Sequence, residues 1–202
     1  MHYCILLPGI EYDPADVSWV EDFVVDIAPL TDMRFVPRTY GYLPKWKVWG
    51  WPPYRHLVVE EQVYYLQHMR ARLQPEDKLS ILCHSFGGTI IEHALKEGVR
   101  FQNVVMFMPA MDEDFNWMDV ESNFSHITVY WSPIDEALSC AYWGKMGWVA
   151  PNVQHPRVVD IERQWSHNQW MDSFDPEDFG RAFTRELLPP LVKDVIGQLE
   201  RI

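Results

Sequence analysis

The chain has 202 residues, 48% of them hydrophobic and 23% charged, which provides for one sizeable core and excludes a disordered polar chain. Its formal net charge of −12 would repel phosphate backbones and anionic lipid, so nucleic acid is not an expected partner. No apolar run approaches the roughly eighteen residues that span a bilayer, and the opening MHYCILLPG lacks the basic start of a secretory signal. Cys4, Cys83 and Cys140 show no CxxC spacing and read as reduced, structural thiols, so a cytoplasmic protein is expected.

In chain order, short apolar runs alternate with longer amphipathic stretches. Residues 3–7 predict a first strand, ended by Pro8-Gly9. Residues 16–27 set Val17, Val20, Phe23, Val24 and Ile27 at steps of three and four, a helical face. A second strand is expected at 33–36, stopped by Pro37. Residues 40–54 (YGYLPKWKVWGWPPY) form a long aromatic connection. A helix follows over 57–73, with Val59, Val63, Leu66, Met69 and Leu73 on one side.

Residues 78–83 (KLSILC) predict a strand and 86–95 a helix. Strands are then expected at 103–108, 127–131 and 157–161, with a closing helix over 176–199 that Pro189-Pro190 can interrupt. Near-continuous Val, Ile and Leu strands alternating with helices define an α/β protein. About six mostly parallel strands with helices on both faces, a three-layer sandwich, are expected in one domain spanning 1–202. In such sheets reactive groups follow the carboxyl ends of strands.

The strongest chemical signal is Cys83-His84-Ser85-Phe86-Gly87-Gly88, where a strand runs straight into a helix. A serine on that turn projects its hydroxyl above the sheet edge, and the helix N-terminus favours developing negative charge. A hydroxyl is a weak nucleophile, so it needs a histidine to take its proton and a carboxylate to orient the imidazole. His84 adjoins the serine but is expected to point away, packing or lining the substrate pocket. His93 lies within a helix, and His126 and His155 precede strands, the wrong end for the reaction. No HExxH or CxxC pattern occurs, so neither a metal nor an organic cofactor is expected.

The C-H-S-F-G run resembles the G-x-S-x-G motif of the α/β-hydrolase family, with Cys83 in place of the first glycine. That resemblance implies the order Ser, Asp, His along the chain. Asp135 directly follows the strand at 127–131, and His167 follows the strand at 157–161, so the implied triad is Ser85, Asp135 and His167. Asp112 and Asp114, after the strand at 103–108, are the alternative acids. The amide of Phe86 is the first expected oxyanion donor. Because Pro8-Gly9 resembles the family's His-Gly turn, Ile10 is the second, with Gly9 as its substitute. The same resemblance implies that the family's first two strands are missing.

These residues predict a serine hydrolase acting on a small ester or thioester with an apolar acyl part. Trp46, Trp49 and Trp51 are expected either to grip that acyl chain or cover the pocket, or to cap the core under a rigid loop. A non-catalytic ligand- or partner-binding protein on the same fold, or an acyltransferase or peptidase using the same three residues, are the alternatives.

Overall fold

The apolar runs form β1 (His2–Leu7), β2 (Met33–Pro37), β3 (Lys78–His84), β4 (Phe101–Phe107), β5 (Phe124–Trp131) and β6 (Val158–Glu162). Between and after them stand α1 (Pro52–Arg72), α2 (Gly87–Lys96), the one-turn α3 (Glu136–Ser139) and α4 (Pro190–Glu200). This is a computed structural model, and it describes residues 1–10, 20, 23–38, 52–139, 145–167 and 190–201. The six strands pair in the order β2-β1-β3-β4-β5-β6, and every neighbouring pair is parallel. The sheet is therefore wholly parallel, where mostly parallel was expected.

Strand alternation sorts the core into two faces. Ile5, Leu7, Ile81, Cys83, Val104, Met106, Ile127 and Val129 point to the side covered by α1 and α2. Cys4, Leu6, Leu82, Val105, Phe107 and Tyr130 point the other way, against Phe23, Ile27 and the Val192, Val195, Ile196 and Leu199 stripe of α4. Sheet and helices make the three layers predicted from the composition of the strands.

The strand order reverses direction once. From β1 the chain goes outward to β2, then crosses back past β1 to β3 and continues to β6. The crevice above the carboxyl ends of β1 and β3 lies at this reversal, where parallel sheets bind ligands. Leu7 is in register with Cys83, so Pro8-Gly9 leaves the sheet beside His84-Ser85.

Most element boundaries shift by a residue or more from the sequence expectation, and three of the shifts bear on the site. α1 begins at Pro52, taking in Pro52, Pro53 and Tyr54 from the end of the aromatic run, because a first helical turn does not need the N–H that proline lacks. β4 stops at Phe107 because Met108 adopts a φ of +38°. β5 starts three residues early, which puts His126 inside the amino end of the strand rather than before it. A 3₁₀ turn over Trp117–Asn123, capped by Asn116 accepting the Met118 N–H at 3.2 Å, had no periodic signal. Of the predicted helix at 16–27, the described part ends in a wide helical turn, Phe23–Ile27. Residues 176–189 of the predicted closing helix lie outside the described residues.

Candidate active site

Ser85 follows β3 at a φ of +51°, a left-handed backbone that costs a non-glycine residue about 1–3 kcal/mol. Three backbone bonds hold it there. Its N–H donates to Phe107 O at 3.0 Å, and its carbonyl accepts from Gly88 N at 2.9 Å and Ala110 N at 2.8 Å. The turn is thus locked to the loop after β4. Glycine is required two places on, since a Cβ at Gly87 would stand 2.9 Å from Cys83 Cβ and 3.1 Å from Leu7 O. The close approach of strand and helix is supplied at Gly87, and this leaves room for the cysteine at position 83. Burial pushes the Cys83 thiol pKa up, so it stays protonated.

Asp135 ends the turn after β5 and is fully buried. One carboxylate oxygen caps α3 by accepting the Leu138 N–H at 3.0 Å. The other lies 2.7 Å from His167 Nδ1. A carboxylate only accepts, so Nδ1 carries the ring proton and Nε2 presents its lone pair. That Nε2 is 2.9 Å from Ser85 Oγ. Ser85, His167 and Asp135 therefore form one continuous hydrogen-bonded chain, assembled from the carboxyl ends of β3 and β5 and the loop beyond β6. Of the alternative acids, both exposed, Asp112 accepts the Asp114 N–H at 3.0 Å and Asp114 accepts from Asn152 at 2.8 Å.

The other predicted residues take these places. Phe86 is fully buried at the N-terminus of α2. Gly9 lies against the serine, for a Cβ there would meet Ser85 Cβ at 2.9 Å and His84 Nδ1 at 3.0 Å. Ile10 follows, partly buried on the face covered by α1 and α2. Trp46, Trp49 and Trp51 lie outside the described residues. Just after them, Pro52 and Pro53 line a cavity of about 450 Å³ with His56, Val59, Thr89 and His93, so Thr89 reaches it one helical turn beyond Ser85. Among the described residues, no group of three or more His, Cys, Asp and Glu is placed to hold a metal ion, and no helix is long and apolar enough to cross a membrane.

Two tertiary contacts hold the segment that carries His167. His84 is buried, its ring centroid 4.7 Å from that of His167, and its Nε2–H donates to His167 O at 3.0 Å. Ser132, at the start of the acid turn, bonds both backbone groups of Trp165 through its hydroxyl. Burial, then the neighbouring His167, holds the His84 pKa well below the ordinary 6.5, so it is neutral when folded. The unfolded chain binds the proton more readily, so this contribution to stability is complete above pH 6.5. It is lost as pH falls from there toward the folded pKa. Urea midpoints are expected to fall more steeply below pH 6.5 in the native protein than in His84→Gln; equal slopes would refute this.

The parallel sheet, its order reversal at β1 and β3, and the serine-bearing turn between strand and helix define an alpha/beta hydrolase. The chain belongs to the alpha/beta hydrolase family of unknown function DUF900, whose model matches residues 59–173. It is similar in structure to a proposed dienelactone hydrolase from Klebsiella pneumoniae subsp. pneumoniae MGH 78578, at a TM-score of 0.58 and 9% identity over 99% of this chain and 87% of that one. A type II thioesterase of the yersiniabactin biosynthetic pathway, YbtT, aligns at a TM-score of 0.52 and 11% identity over 98% and 92% of the two chains. A proposed alpha/beta-superfamily hydrolase from Xanthomonas campestris pv. campestris aligns at 0.50 and 15% identity over 82% and 88%. At these identities the likeness is one of fold. No curated protein matches the chain in sequence.

Proposed function

We propose that this protein is a serine hydrolase that cleaves a small carboxylic ester or thioester through an acyl-Ser85 intermediate. The observation that carries this reading is the unbroken contact chain from Ser85 Oγ through His167 to Asp135, at 2.9 and 2.7 Å. Ser85 Oγ attacks the acyl carbon while His167 Nε2 takes its proton. The carbonyl π electrons move to oxygen, and the N–H groups of Phe86 and of Ile10, or Gly9 in its place, stabilise that oxyanion. Collapse expels the alcohol or thiol, which receives the proton from His167. Water then attacks the acyl-serine with His167 again as base, releasing the carboxylic acid and restoring Ser85. Asp135 keeps the imidazole in the useful tautomer throughout.

Structural neighbours that include a proposed dienelactone hydrolase and a thioesterase support both an ester and a thioester as substrate. A fluorophosphonate probe tests the proposal directly, since it phosphonylates only an activated serine. Intact-mass and peptide analysis are expected to show one adduct, at Ser85, with p-nitrophenyl ester turnover falling in proportion. A folded protein that is left unlabelled, or labelled at another residue, would overturn the reading.

A further inference from the structure

His167 stands beyond the last backbone rung of the sheet. β6 ends at Glu162, and Arg163 N makes a final bond to Trp131 O at 2.8 Å. From there two side chains take over. On the acid side, Ser132 Oγ donates to Trp165 O at 2.6 Å and accepts from Trp165 N at 3.1 Å. A single hydroxyl thus does what a paired peptide does in a ladder, offering one residue both a donor and an acceptor. The backbone of fully buried Ser132 is committed elsewhere: its N–H donates to Gly147 O at 2.8 Å and its carbonyl accepts from Asp135 N at 3.1 Å. On the serine side, the His84 ring bonds the carbonyl of His167 itself at 3.0 Å.

We propose that Ser132 and His84 are positioning residues that clamp segment 165–167 from both sides and set the reach of His167 Nε2 to Ser85 Oγ. This rests on the reading of Ser85, His167 and Asp135 as the reacting unit. The Asp135 contact is a single bond about which the imidazole can pivot. Ser132 fixes the chain two residues before the base, and His84 fixes the base's own carbonyl, leaving exposed Ser166 between two anchored points. Proton transfer within a complex depends steeply on such placement, a displacement of about 1 Å costing on the order of 100-fold.

The test compares the full-length native protein with Ser132→Ala, His84→Met and His84→Gln, whose amide N–H can reach the position of Nε2. Three readouts are taken: fluorophosphonate labelling rate, kcat and KM on a p-nitrophenyl ester, and the downfield proton resonance of the His167 Nδ1–H. Ser132→Ala and His84→Met are each expected to slow labelling by about 10–100-fold. They should lower kcat by the same factor, keep KM within about threefold, and broaden the resonance away. His84→Gln should restore most of the rate. Should Ser132→Ala fail to fold, His84→Met against His84→Gln carries the same comparison.

Folded variants that keep both labelling rate and resonance overturn the clamp, as does a rise in KM alone. The resonance reports on the clamp whether or not the protein turns over substrate. An unlabelled native protein that still shows it would sink the hydrolase reading alone, and the clamp would then stand or fall on the resonance in the variants.

Discussion

Asp135→Asn is expected to lower kcat by about 10⁴-fold while leaving the fold intact. The reason lies in the two bonds this buried carboxylate makes. One oxygen accepts the Leu138 N–H at 3.0 Å and the other accepts from His167 Nδ1 at 2.7 Å. An asparagine has one acceptor and one donor group. Keeping the cap on α3 turns its oxygen to Leu138 and its NH₂ to His167. The imidazole must then present Nδ1 as an acceptor, which moves the ring proton to Nε2, the nitrogen facing Ser85. That tautomer cannot take the serine proton. Steady-state kinetics on a p-nitrophenyl ester, with a urea midpoint near that of the native protein, would check both halves of the expectation. Asp112→Asn is the comparison, and it should leave kcat unchanged because that exposed carboxylate serves its own turn. A folded Asp135→Asn protein with activity within tenfold of native would remove Asp135 from its role.

Much of this arrangement is legible in the sequence because periodicity carries it. β1 to β6 are written as short apolar runs, and α1 as a stripe at helical spacing, since burial on two faces or one dictates those patterns. Ser85 is legible because so few residue patterns can carry a chain from strand to helix in so tight a turn. Asp135 and His167 are legible through the family resemblance, which implies the order serine, acid, histidine, and each follows a strand whose carboxyl end faces the same edge. His84 is only half legible. Its proximity is in the sequence, but the direction of its ring is set by the space between Gly9 and His167, which is tertiary. Ser132 has no sequence signal at all. Its hydroxyl meets the backbone of a residue thirty-three places away, and a contact to backbone depends on no side-chain identity at position 165. Boundaries such as the start of α1 at Pro52 are hidden for a different reason: proline reads as a breaker, yet suits a first helical turn.

Ser85→Ala and His167→Ala are each expected to lower kcat by about a million-fold, and the double variant to lose no more than either alone. The prediction follows from the geometry of one shared proton. Ser85 Oγ and His167 Nε2 are 2.9 Å apart, so the hydroxyl is activated only while that nitrogen is there to receive its proton. Removing the base leaves an ordinary alcohol; removing the alcohol leaves a base with nothing to activate. Either loss takes away the whole covalent route. What survives in each case is the catalysis due to binding and to the oxyanion donors, on the order of 10³-fold over water. Stability should hardly move in Ser85→Ala, because the bonds that fix the turn are backbone bonds to Phe107, Gly88 and Ala110. Single-turnover kinetics on the two single variants and the double variant would decide it. Losses that multiply in the double variant would mean that Ser85 and His167 act in separate steps, and the shared-proton mechanism would have to be given up.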